Sequence, residues 1–251
     1  MSGERTLPIS NIEYLIFNIQ YSDLDRGMGR ILRLYRSSVG KKAVMGVTGL
    51  LLFGFVVVHL AGNLKVYLGP ASFNSYAEFL REVGAPVFGR SEILWIGRSV
   101  LLVALVLHVE AAIQLWLMAR AARPVNYRRP VHLEDTYASR TMRWGGAIIF
   151  AFVLYHLMHL TWGNAHPAFV PGDPYHNLVR GFQSLGASAA YIVAMVAVGF
   201  HIYHGVWSSL QTLGVNLENH ERWRRLSAFI AAAIVIGNIS IPVAVLAGIV
   251  Q

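Results

Sequence analysis

The sequence contains no cysteine, which limits the ways in which the chain can hold a metal or a prosthetic group. Without thiols it cannot form disulfides, bind zinc through thiolates, ligate iron–sulfur clusters through cysteine or attach a c-type haem covalently. Any cofactor must therefore be held by other side chains.

Charged residues are few, and acidic ones are fewest. Asp, Glu, Lys and Arg make up 14% of the 251 residues, and 21 Lys and Arg against 13 Asp and Glu give a net charge of +8. In a soluble protein this excess would favour nucleic-acid binding. Here the basic residues lie beside long apolar segments, where they indicate membrane topology. We therefore predict no nucleic-acid partner.

Apolar residues dominate what remains. Hydrophobic residues make up 55% of the chain and its mean hydropathy is +0.48. Several apolar runs reach the length of roughly twenty residues that a bilayer-spanning helix needs, which is too many for a soluble core of this size. We predict an all-α integral membrane protein with five transmembrane helices, at residues 43–64, 93–119, 144–162, 185–210 and 226–250.

Basic residues are concentrated on one side of these spans. They precede the first span, fill the loop between the second and third, and precede the fifth, whereas the opposite loops carry only Lys65, Arg81, Arg90 and Arg180. By the positive-inside rule the N-terminus is cytoplasmic. The sequence thus predicts a cytoplasmic segment over residues 1–42, without the features of a cleaved signal peptide, and a five-helix domain over residues 43–251 in the cell membrane.

Six histidines lie inside the predicted spans, namely His59, His108, His156, His159, His201 and His204. An imidazole in lipid is costly without a partner, so each is a functional hypothesis. At a rise of about 1.5 Å per residue, His59 and His156 lie at one depth near the outer side. His108 and His201 share a second depth, about 22 Å below the outer side.

Two imidazoles from different helices at one depth can supply both axial ligands of a haem iron, so two levels indicate two haems. Structural zinc is disfavoured because it needs about four ligands at one point. A proton relay is the other alternative. His159 and His204 each lie three residues from a paired histidine, and spacing alone does not separate ligand from neighbour. We favour a hydrogen-bonding role for these two.

Four stretches together resemble the di-haem cytochrome b membrane subunit of succinate:quinone oxidoreductases, the complex II family of succinate dehydrogenase and fumarate reductase. They are "VVVHLAGNLKVYLGPASFN", "LVLHVEAAIQLW", "RWGGAIIFAFVLYHLMHLTWG" and "GFHIYHGVWSSLQTLG". The resemblance runs from about Ser38 to the C-terminus. It implies that the first four spans form a haem-binding bundle, and that the iron ligands are His59, His108, His156 and His201.

The resemblance also implies the function. The chain would anchor a flavoprotein subunit and an iron–sulfur subunit, and would carry electrons between them and membrane quinone, with menaquinone the favoured type. FAD and the iron–sulfur clusters would belong to those partners only, because this chain has neither a flavin-binding glycine motif nor cysteines. It would thus be part of an enzyme, with succinate oxidation on the partners and no catalytic residue of its own.

Two other functions are compatible with the sequence. One is the cytochrome b subunit of another membrane dehydrogenase, such as a hydrogenase or a formate dehydrogenase. The other is a membrane anchor or transporter that binds no haem.

Residues outside the four proposed ligands carry further hypotheses. Glu78 and Glu82 mark a candidate quinone site on the outer side, and the cytoplasmic alternative lies near Arg36, Ser38 and Lys42. Arg98 is a candidate partner of a haem propionate, with snorkelling to the interface as the alternative. Glu110 is an acid that contacts a partner helix or a proton path, with a hydrogen-bonded structural acid as the alternative. Gly199 stands where some fumarate-reducing relatives carry an acid.

Overall fold

The computed structural model describes residues 29–30, 32–122, 137–214 and 220–251. In these ranges 83% of the residues are helical and no strand occurs, which confirms the predicted all-α class. The helices are α1 (Ser38–Asn63), α2 (Pro70–Glu82), α3 (Glu92–Ala121), α4 (Tyr137–His156), α5 (Pro174–Phe182), α6 (Leu185–Thr212) and α7 (His220–Leu246).

Five of these helices are long and apolar enough to cross a membrane, namely α1, α3, α4, α6 and α7. The predicted five spans are therefore confirmed. Their outward faces remain apolar and exposed, as with Val103 at 58% and Phe229 at 71%, and lipid is the solvent that suits such faces. The chain is a multi-pass membrane protein.

Local sequence explains where most spans begin and end. The Ser37 hydroxyl accepts the Gly40 amide at the start of α1, and the Ser184 hydroxyl accepts the Ala187 amide at the start of α6, as N-caps do. Beyond its last α-helical residue, α1 continues as a 3-10 turn, Leu64–Leu68, and stops at Gly69, whose φ of 86° suits glycine.

The fifth span ends earlier than predicted. Helix α7 stops at Leu246 rather than at residue 250, one turn after Pro242. Pro242 lies inside the helix and removes only the hydrogen bond to residue 238 before it, whereas the end is made by Gly248, whose φ of 70° turns the chain back. This turn buries Val250, which is 5% exposed, in the protein.

Two short amphipathic helices, α2 and α5, lie at one end of the bundle. Helix α5 begins inside the Pro-rich stretch "NAHPAFVPGDPYHN", with Pro174 at its first position and Asp173 as its N-cap. Proline is common at that position because its missing amide is not needed there. Asn74 of α2 donates to Asp173 at 3.0 Å and accepts the Tyr175 amide at 3.0 Å, so the two helices are joined.

We expect Asp173→Ala to lower the free energy of unfolding by about 1 kcal/mol, because the N-cap acceptor is lost. Hydrogen bonds from the His176 amide and the Asn74 side chain hold the pKa of Asp173 below its usual value. The stability that the Asp173 carboxylate contributes is therefore fully present above the pKa of Asp173 in the unfolded chain. It is lost as the pH falls through the lower pKa of Asp173 in the folded protein.

Thermal unfolding of the purified protein as a function of pH measures both effects. Asp173→Asn is the control, because asparagine keeps the cap acceptor but does not titrate. Equal unfolding temperatures for the wild type and the alanine variant would contradict the capping role.

The packing order of the spans leaves one side of the bundle open. Helix α3 packs on α1, α1 packs on α6, α4 packs on α6 and α7 packs on α6. Among the described residues, α3 and α4 do not pack against each other, nor do α1 and α4, nor α3 and α6. The end with α2 and α5 is called the α5 end below, and the end where α1 begins is called the Ser38 end.

Candidate functional site

The first pair of histidines meets toward the α5 end. The imidazole rings of His59 on α1 and His156 on α4 have centroids 5.9 Å apart and planes at 84°. Since α1 and α4 do not pack directly, the two side chains reach each other across the bundle. Phe55 stacks on His59 at 5.1 Å and Phe152 lies 5.9 Å from His156, so the pair has apolar surroundings.

The second pair lies toward the Ser38 end. His108 on α3 and His201 on α6 have ring centroids 6.2 Å apart, with planes at 64°. His108 Nδ1 lies 3.1 Å from the Met45 carbonyl oxygen and 3.3 Å from the Thr48 hydroxyl. A carbonyl accepts only from a protonated nitrogen, so His108 carries its proton on Nδ1, and Nε2 is left to act as a ligand.

Both pairs have a spacing that suits axial ligation of one metal ion. With metal–nitrogen distances of about 2 Å and roughly 1 Å from the nitrogen to the ring centre, opposed imidazoles have centroids about 6 Å apart. The observed separations are 5.9 and 6.2 Å. His201 Nδ1 is buried with no hydrogen-bond partner among the described residues, a cost that only a bond at that nitrogen would remove.

The glycines near the histidines fall into two groups by what an added side chain would meet. A Cβ added at Gly49 would lie 3.1 Å from His108 Cε1, so this glycine admits the imidazole. A Cβ added at Gly54, Gly145, Gly146 or Gly205 would meet nothing within 4 Å. Two open grooves of about 460 and 210 Å³ run between α4 and α6, and His201 lines the smaller one. The ring spacing at both levels and the groove beside His201 are compatible with haem binding, which stays a prediction.

A structural zinc site fits poorly. No group of three or more His, Asp or Glu side chains that could hold a metal ion forms within the described ranges. The imidazoles come together as separate pairs, whereas tetrahedral zinc needs about four ligands at one point.

The structure distinguishes His156 from its neighbour His159. The helix changes to π geometry over Leu157–Thr161, and His159 is 1% exposed, stacked on Tyr155 at 5.3 Å and on His166 at 5.0 Å. It thus packs toward α5, while His156 faces His59. On α6, the ring contact with His108 is made by His201, and His204 is half-buried beside it.

Sequence reasoning missed Tyr191 and His166. The Tyr191 hydroxyl lies 3.1 Å from Nδ1 of His156 and 3.1 Å from Nδ1 of His159. His166, which lies outside the predicted spans, is 7% exposed and lies against His159. A tyrosine six residues into an apolar span was the only available indication, because a buried phenol needs a hydrogen-bond partner.

The other candidate residues have defined partners. Glu110 accepts from Tyr35 at 3.1 Å and from Gln114 at 2.7 Å, which is a structural role that links the start of the described chain to α3. The Arg98 guanidinium lies 4.9 Å over Trp95, and both are exposed. This stacking suits the snorkelling alternative.

The carboxylates at the α5 end belong to a charged surface. Glu78 forms ion pairs with Arg81 at 3.3 Å and with Arg90, which ties α2 to the loop before α3. Glu82 is exposed. A quinone-site role for either glutamate stays a prediction.

Gly199 is fixed by packing between α6 and α7. A Cβ added there would lie 2.5 Å from Val235 Cγ2. An acid at this position would therefore require the Val235 side chain, or α7 with it, to shift.

Comparison with known proteins supports a family. Residues 119–239 match the model of the succinate dehydrogenase/fumarate reductase transmembrane subunit. This range contains His156 and His201, and the other two paired histidines precede it. No curated protein and no solved structure matches the chain. The match, together with the five spans, agrees with the resemblance drawn from the sequence: just under half of the chain is similar to the transmembrane subunit of succinate dehydrogenase/fumarate reductase, a family whose members are subunits of an oxidoreductase complex.

Proposed function

We propose that this chain is a di-haem cytochrome b that carries electrons between an iron–sulfur subunit and membrane quinone. The observation that supports this most directly is the pairing of His59 with His156 and of His108 with His201 at two levels of one bundle. Each pair would hold one haem b as axial ligands. When bound, the haem supplies one-electron chemistry without an open coordination site.

The chain's own residues orient the ligands and exclude water. The Met45 carbonyl holds His108 through Nδ1, and the Tyr191 hydroxyl lies at the same nitrogen of His156. Phe55 and Phe152 flank the pair at the α5 end. The hydrocarbon core is about 30 Å thick. Two haems at different depths would therefore let electrons cross it in shorter steps than a single haem would.

The charge distribution supports a cytoplasmic Ser38 end in the cell membrane. The described basic residues at that end are Arg30, Arg33, Arg36, Lys41, Lys42, Arg120, Arg143, Arg222, Arg224 and Arg225, against Lys65, Arg81, Arg90, Arg98 and Arg180 toward the α5 end. By the positive-inside rule the first group faces the cytoplasm. The flavoprotein and iron–sulfur subunits would dock there, and they would supply FAD, the clusters and the succinate chemistry.

Haem quantification tests this proposal. Pyridine haemochrome analysis of the purified complex should return about two b haems per chain, with low-spin b-type bands in the reduced-minus-oxidised spectrum. A protein without haem would contradict the proposal and favour an anchor or transporter that uses its histidines otherwise.

Identification of the partners separates this function from that of another dehydrogenase. Mass spectrometry of the intact complex should detect a flavoprotein and an iron–sulfur subunit of the succinate or fumarate type. A hydrogenase or formate dehydrogenase subunit in their place would contradict the assignment. The family match over residues 119–239 favours the first outcome.

A further inference from the structure

Tyr191 connects a proposed ligand to a second histidine in the interior. The tyrosine is 6% exposed, and its hydroxyl is 3.1 Å from Nδ1 of both His156 and His159. Its ring also packs edge-on against Phe182 at 4.8 Å and Phe152 at 4.9 Å. The phenol is therefore held from two sides, and its hydroxyl has a fixed place between the two imidazoles.

The number of protons determines the direction of both hydrogen bonds. A tyrosine hydroxyl has one proton to donate and lone pairs to accept. If His156 binds iron through Nε2, its remaining proton is on Nδ1 and is donated to Tyr191. The Tyr191 hydroxyl then donates to Nδ1 of His159, which keeps its own proton on Nε2.

His159 is in turn held by a histidine of fixed tautomer. His166 Nε2 donates to the Asn177 carbonyl at 2.8 Å, and its Nδ1 accepts the Ala168 amide at 3.0 Å. The two rings stack at 5.0 Å. Gly181 makes room for them, because a Cβ there would lie 2.7 Å from His159 Cε1. The π turn over Leu157–Thr161 accompanies this arrangement, and such turns are frequent at functional sites.

We propose that Tyr191 is a positioning residue for the haem at the α5 end. By accepting from His156 Nδ1 and donating to His159, it fixes the orientation and tautomer of the ligand and increases the electron density on its ligating nitrogen. This inference rests on the proposed function. A more electron-rich imidazole stabilises ferric over ferrous iron, so Tyr191 lowers the midpoint potential of that haem.

The two levels differ in a way that makes the effect selective. At the Ser38 end the Nδ1 acceptor of His108 is the backbone carbonyl of Met45, which a side-chain substitution does not remove. At the α5 end the acceptor for Nδ1 of His156 is the side-chain hydroxyl of Tyr191. A change at Tyr191 should therefore act on one haem only.

Redox titration of the whole complex, followed through the visible haem bands, tests the inference. Tyr191→Phe should raise the midpoint potential of the α5-end haem, leave the other unchanged and retain about two haems per chain. Tyr155→Phe is the matched control, because Tyr155 stacks on His159 at 5.3 Å and its phenol lies outside this hydrogen-bonded chain. It should leave both potentials unchanged.

A second variant covers the case in which Tyr191→Phe loses the haem. His159→Phe keeps the bond between Tyr191 and His156 but removes the acceptor of the tyrosine proton, so a smaller upward shift of the same haem is expected. Unchanged potentials in both variants, or equal shifts of both haems, would overturn the inference while leaving the proposed function intact. A wild-type complex without haem would overturn both.

Discussion

His201→Leu is expected to remove the haem at the Ser38 end and to leave the one at the α5 end. Each proposed haem draws on one pair of helices, α3 and α6 for the first and α1 and α4 for the second. Leucine fills similar space in the bundle but has no ligating nitrogen. Haem content should fall from about two to about one per chain, and the remaining spectrum should be that of a low-spin haem.

His204→Leu is the matched control for this change. His204 is on the same helix, one turn further along, and the ring contact with His108 is made by His201 instead. The control should keep both haems. Equal loss of both haems in a His201→Leu protein that still inserts would contradict the pairing, and loss of one haem in His204→Leu would identify that residue as the ligand.

Gly49→Leu should have a similarly large effect without touching a ligand. A Cβ at Gly49 would lie 3.1 Å from Cε1 and 3.4 Å from Nδ1 of His108, and the rest of a leucine side chain needs more room still. The imidazole would be pushed away from the Met45 carbonyl and out of its present position beside His201. We expect loss of the Ser38-end haem and destabilisation by about 1–3 kcal/mol, the usual cost of overpacking.

Val47→Leu provides the control, because Val47 is on the same helix but is 56% exposed on its outer face. Spectra of the two variants in the reduced and oxidised states measure the difference. Retention of both haems in Gly49→Leu would mean that His108 can approach iron from another direction, which contradicts the geometry proposed for this level.

The family match and the geometry support each other because they cover different parts of the chain. The match extends over residues 119–239 and so contains one histidine of each pair. The other members, His59 and His108, come from helices that precede the match. The ring contacts of 5.9 and 6.2 Å join the two parts, so the proposed site draws on both.

The sequence by itself determined the five spans and the grouping of the histidines by depth. Hydropathy over roughly twenty residues is a local property, and the bilayer removes most alternatives to a helix. The depth of a residue along a span can be calculated from the helical rise per residue alone. For this reason His59 could be grouped with His156, and His108 with His201, before any packing was known.

Only the tertiary structure determined which neighbours the side chains at a given depth face. The π turn after His156 turns His159 toward His166 and α5, and helix geometry based on spacing does not anticipate such a turn. The short helices α2 and α5 escaped notice because each is amphipathic and too short to produce a hydropathy signal. Tyr191 lies 35 residues from His156, and such a contact exists only once α4 and α6 have packed together.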